Sequence, residues 1–222
     1  TRALAAGAFE EALATLDDVL GLELADDDVR LGDACQHRGE ALAGVQRYDD
    51  AAAALDRALA VYSAAGHDPG IERAAFHGSV MFTWRFRNDE ALVRLTRGLN
   101  ACSTEAARER AFLQSVFALA RMSPAHIEES WQRGSEAVAV AERLAEPGVL
   151  GRVLMAYGYL QRYCADFEGA SATARRALAM IPAEALRDRA TAIVGLTVAD
   201  YHLGHFAAVE EWLPELATAA DR

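Results

Sequence analysis

His202 and His205 stand three residues apart with Asp200 beside them, residue types from which a metal pair is built. The turn expected at 202–206 takes His205 off the helical face of His202, and no third and fourth ligands follow nearby. No metal site is therefore expected. Residues 126–130 read HIEES rather than HExxH, so the metalloprotease arrangement is absent. GxSxG, GxGxxG and kinase-type motifs are missing as well. His37 and His77 fall on first helices of helix pairs, where a neighbouring pair satisfies them. No nucleophile is nominated, no cofactor is implied, and the chain is expected not to be an enzyme.

Composition narrows the chemistry further. The basic residues are all Arg, 22 of them, with no Lys. That excludes a Schiff-base lysine, a lysine general base and a GxxxxGK[ST] phosphate loop. A net charge of −11 opposes gripping a nucleic-acid backbone, which needs clustered cations. Cys35, Cys102 and Cys164 have no CxxC spacing and are odd in number, which suits buried thiols in a reducing compartment. There is no apolar run of membrane-spanning length and no secretion signal, so the expected location is the cytoplasm.

The elements that would position a site are helices. Residues 157–182, YGYLQRYCADFEGASATARRALAMIP, read as one helix ending, a tight turn and a second helix. Its fixed points are Gly158, Phe167, Ala170, Ala177 and Pro182. Copies anchored on the small residue after the turn fall at Ala12, Ala51, Ala91, Ser130, Ala170 and Val209, in steps of 39 or 40. Helices are expected near 9–24, 27–45, 48–65, 70–86, 88–101, 103–121, 123–144, 147–164, 167–180, 183–203 and 206–219. Asp28 and its neighbours should cap the second of these and Asp68 the fourth. Trp84 or Phe86 should fill the wedge where Asn88 replaces a turn aromatic. Pro214 should kink or shorten the last helix.

This order of turn aromatic, small residues and closing Pro resembles the tetratricopeptide repeat, with units near 40 residues. The resemblance implies an all-α fold: a right-handed superhelical solenoid of antiparallel helix pairs, about five and a half repeats forming a single domain over 1–222. The first copy starts at its turn, so the chain is expected to be a piece of a longer protein. Long Ala-rich units of this kind look like the repeat regions of large LuxR-type, signal-transducing ATPase regulators. In those the repeats are the sensing or partner-binding part.

Stacked pairs make a concave face lined by first helices. The repeat register puts Arg73, Phe76, Trp84, Phe112, Arg152, Met155, Tyr159, Arg162, Tyr201 and His202 on it, an interface-like mixture of aromatics, Met and Arg. Trp84, Phe112 and Tyr159 would be core if the register were one position out, and Arg73, Arg152 and Arg162 would be surface ion pairs in the alternative reading. The expected function is a non-catalytic protein- or peptide-binding module of a multidomain transcriptional regulator. A small-effector sensor is the alternative, and an enzyme on a helical-repeat scaffold a third. Direct nucleic-acid contact and membrane contact are not expected; a homodimer through the open side of the first helix is.

Overall fold

The computed structural model describes residues 8–21, 25–83, 85 and 87–220, leaving out the side chains of 218–220. Eleven α-helices, and no strand, are found among them: α1 Phe9–Leu20, α2 Val29–Gly44, α3 Tyr48–Ala64, α4 Asp68–Thr83, α5 Asn88–Ala101, α6 Ala107–Arg121, α7 Ile127–Leu144, α8 Pro147–Tyr163, α9 Phe167–Met180, α10 Leu186–His202 and α11 Phe206–Ala220. They gather into two compact units, residues 1–113 and 114–222. Neither contains a helix long and apolar enough to cross a membrane among the described residues.

The second helices begin at 9, 48, 88, 127, 167 and 206, three residues before each anchor. Ala12, Ala51, Ala91, Ser130 and Ala170 are all buried. One turn is used repeatedly. The backbone N–H groups of Arg47, Arg87, Asp166 and His205 donate to the carbonyls of Leu42, Phe82, Gln161 and Asp200 at 2.8, 2.9, 3.0 and 2.8 Å. In each case the next residue opens a helix. Gln46, Ala165 and Gly204 take positive φ of 63, 60 and 77°, the left-handed step that lets the chain reverse.

The pairing is antiparallel. Gly32 faces Tyr62 while Gly39 faces Leu55 and Ala51, so α3 runs down as α2 runs up; Gly151 against Ile181 and Gly158 against Thr173 show the same for α8 and α9. Within unit 1, Leu42, Ala51 and Ala54 form a core cluster with Leu13, Ala43 and Met81 packed on it. Tyr62 is wholly buried, and Gly32 and Gly70 both lie against its ring.

Several expectations are corrected. Asp68 is not the cap of α4: His67 Nδ1 accepts the Gly70 N–H at 3.1 Å, and Asp68 Oδ1 takes the Ser103 N–H at 2.7 Å instead. Asp28 does cap α2, accepting the Arg30 N–H at 2.9 Å. Helices α6, α7 and α10 start three or four residues later than expected, because residues 103–106, 123–126 and 182–185 form turns of their own. Trp84 and Phe86 lie outside the described residues; near that turn Phe82 is buried, with Arg87 and Arg94 over its ring at 4.9 and 4.3 Å. The last helix continues through Pro214 rather than ending early, and Arg189 Nε holds Glu215, one residue later, at 2.7 Å. That ion pair ties the second half of α11 to α10.

Gly158 also differs from its expected role. A Cβ there would meet Thr173 at an ordinary 3.6 Å, whereas one on Gly39 would lie 2.6 Å from Leu55 Cγ and 3.2 Å from the Ala51 carbonyl. Gly158→Ala should therefore be neutral or gain up to about 1 kcal/mol from helix propensity. Gly39→Ala should lose about 1–3 kcal/mol by overpacking. Urea unfolding of both variants checks the pair; equal stabilities would refute the assigned close approach.

Candidate functional site

In unit 1 the expected face lies on α2, α4 and the start of α6. Arg73 is exposed but committed: its Nη2 donates to Asp33 Oδ1 at 3.0 Å and to the Tyr62 hydroxyl at 3.3 Å. Tyr62 in turn donates to Asp33 at 2.6 Å. Phe76 is half-buried, edge-on to Phe112 at 5.0 Å. Phe112 is fully buried and belongs to the core, not to an open groove.

One helical turn along, Gln36 Nε2 donates to Glu40 Oε1 at 2.8 Å, and His37 Nδ1 and His77 Nε2 approach the same carboxylate at 3.5 and 3.6 Å. Burial would raise the Glu40 pKa, but His37, the charge of His77 and the Gln36 amide outweigh it and hold it at about 2. Gln36 is 2% exposed, and its Oε1 has no hydrogen-bond partner.

In unit 2, α8 and α10 run in parallel register, Arg152 near Asp188 at 3.8 Å and Gly195 against the Tyr159 ring. This tucks the middle of α8 under α10. Met155 and Tyr159 are consequently buried, and the Tyr159 hydroxyl donates to the Thr191 carbonyl at 3.0 Å. Burial also pushes the Tyr159 pKa up. Of the residues expected on this face, Arg152 near the start of α8 is partly accessible, and Arg162, Tyr201 and His202 remain accessible in the last turns of their helices.

There they join Tyr163 and Phe206, which sequence reasoning passed over. Tyr163, Tyr201 and Phe206 are 56, 62 and 58% exposed. His202 stacks on Phe167 at 4.3 Å, and Tyr201 meets both His202 and Phe206 edge-on at 6.0 and 5.6 Å. Arg162 lies over the Tyr159 and Tyr163 rings at 4.6 and 5.1 Å. Aromatics clustered at helix ends beside a turn were the available signal; Phe206 was read only as turn filling.

The remaining titratable groups are structural in placement. His205 faces Asp200 at 3.5 Å, while the partner of the His202 ring is Phe167. Asp200, wholly buried, accepts from Ser171 Oγ and Arg175 Nη2, each at 2.6 Å. No group of three metal-type ligands exists among the described residues. Burial raises all three thiol pKa values, that of Cys102 to about 12, which keeps them protonated and unreactive at neutral pH.

With this geometry in hand, comparison with known proteins bears on the fold. No family model and no curated protein matches the chain. Among solved structures it is similar to BtubC (BKLC) from P. vanneervenii, at 15% identity and TM-score 0.58, over 99% of this chain and 90% of that one. It is also similar to the apo form of RapI, at 13% identity and TM-score 0.53, over 96% of this chain and 59% of RapI. The chain is an all-α helical-repeat protein. Within each unit its helix pairs stack on their neighbours as those of an α-solenoid do.

The Glu40 cluster yields a pH test. Its folded pKa lies below the ordinary value of 4.5, so its stabilisation is complete above pH 4.5 and is lost as pH falls through 2. Glu40→Gln should cost on the order of 2 kcal/mol at pH 5, and the gap from wild type should shrink towards pH 3. Urea midpoints measured across that range decide it; a pH-independent gap would remove the pairing.

Proposed function

We propose that the chain is a non-catalytic protein- or peptide-binding repeat module, and that the accessible aromatic end of unit 2 is its contact surface. The observation that carries this is the group of Tyr163, Tyr201 and Phe206, each more than half exposed. Aromatic rings left more than half in water are the side chains enriched at interface hot spots. The resemblance to long tetratricopeptide-like units supports placing the module as the sensing or partner-binding part of a multidomain transcriptional regulator. The helical-repeat fold shared with BtubC and RapI agrees with a binding scaffold. Catalysis is not part of this reading: Asp200, Asp33 and Glu40 are each held by donors of the fold itself.

A second reading has one observation in its favour. The buried, unpartnered Gln36 Oε1 beside Glu40, His37 and His77 is a set of convergent polar atoms of the kind that orients a small effector. Gln36→Leu would abolish effector binding without affecting peptide binding.

Peptides selected on the wild-type chain should bind a Tyr201→Ala, Phe206→Ala double variant at least ~10-fold more weakly, with unchanged melting temperature. Undiminished binding by the double variant would move the contact surface elsewhere.

A further inference from the structure

The partner's chemistry follows from Arg162, on the reading that this aromatic end is a contact surface. Most arginines of the chain are neutralised in place. Arg73 pairs with Asp33, Arg94 and Arg97 with Asp56, Arg175 with Asp200, Arg176 with Glu142 and Arg189 with Glu215. Arg162 differs: no acid pairs with it among the described residues, and its guanidinium rests on two tyrosine rings. Its Nε is buried and has no hydrogen-bond acceptor. A buried donor on a cation is costly to leave unpaired. Stacking on the rings fixes the plane of the guanidinium, so its remaining N–H groups form a preset fork.

Location links this cation to the exposed rings. The α8–α10 register that sets Arg152 near Asp188 and Tyr159 against Gly195 is an offset of 36 residues. The same offset carries Arg162 to the level of Val198, one helical turn before Tyr201 and His202.

We propose that Arg162 is the carboxylate-binding group of this surface, and that the partner is a peptide segment presenting one acidic side chain next to an aromatic or aliphatic one. One planar fork matches one carboxylate. A phosphoryl group is the poorer match. Such dianions are held by clusters of arginines, and Arg175 of the adjoining α9 already pairs with Asp200. A net charge of −11 also repels a dianion more than a single carboxylate.

The test uses the whole 222-residue chain, with NMR of the Arg162 Nε–H and of the Tyr201 and Phe206 rings, and three probes: 3-phenylpropionate, 3-phenylpropionamide and phenyl phosphate. The acid should shift the Arg162 Nε–H and both rings with a Kd on the order of millimolar, as suits a fragment of this size. The amide should bind at least ~10-fold more weakly, and Arg162→Gln should erase that difference while leaving the ring shifts. Tighter binding of phenyl phosphate than of the acid would overturn the carboxylate assignment. If acid and amide shift the rings equally with Arg162 unmoved, Arg162 loses its role and the aromatic surface stands. If no probe moves either ring or Arg162, both readings fall.

Discussion

Close approach of two antiparallel helices is the constraint on which everything else in this chain depends. A helix pair joined by a short turn brings its backbones together only where side chains are nearly absent, as at Gly39 against Leu55 and Ala51, or Gly98 against Ala75. What recurs at a fixed distance from the turn is the small residue three positions into the second helix, in steps of 39 or 40 residues. The turn is equally constrained. Its 6→1 hydrogen bond and left-handed residue recur even where the side chain is Gln46 or Ala165, at a conformational cost of about 1–2 kcal/mol each. The buried first turn of the following helix offsets that cost.

Such constraints leave a readable trace when they act on single residue types at fixed offsets. The small residue after the turn was legible in most copies, and the helices at 9, 48, 88, 167 and 206 start at the residue expected, whereas α7 does not. Less was legible where the fold permits substitutes. Ser123 and Pro124 looked like a helix start but form a separate turn, with Ser123 Oγ and His126 Nδ1 3.0 Å apart. Asp68 looked like a cap, but its carboxylate is drawn away by a backbone donor 35 residues on. Gly158 looked obligatory and is not, because in this pair the tightest approach falls one helical turn or more earlier, at Gly151, where a Cβ would lie 2.7 Å from Ile181.

The surface was harder to read than the core. A periodic register tells which side of a helix faces inward, but not how far the next helix slides over it. Sliding is what buried Met155 and Tyr159 under α10 and left Arg162 and Tyr201, on the same faces, at the edge. Arginine was ambiguous for another reason: its partner is set by whichever acid the fold brings near. Arg73 and Arg175 acquired such acids 40 and 25 residues away, and Arg162 did not.

The wholly buried Asp200 couples elements that a linear array would otherwise keep separate. Its carboxylate holds Ser171 and Arg175 of α9, its backbone carbonyl receives the His205 N–H at the mouth of α11, and it sits itself on α10. Arrays built of nearest-neighbour contacts ordinarily fray from their ends, one element at a time. Here, release of α9 would take both side-chain donors from the Asp200 carboxylate, and release of α11 would take the His205 N–H from its backbone carbonyl. One residue thus links three successive helices at the end of the array.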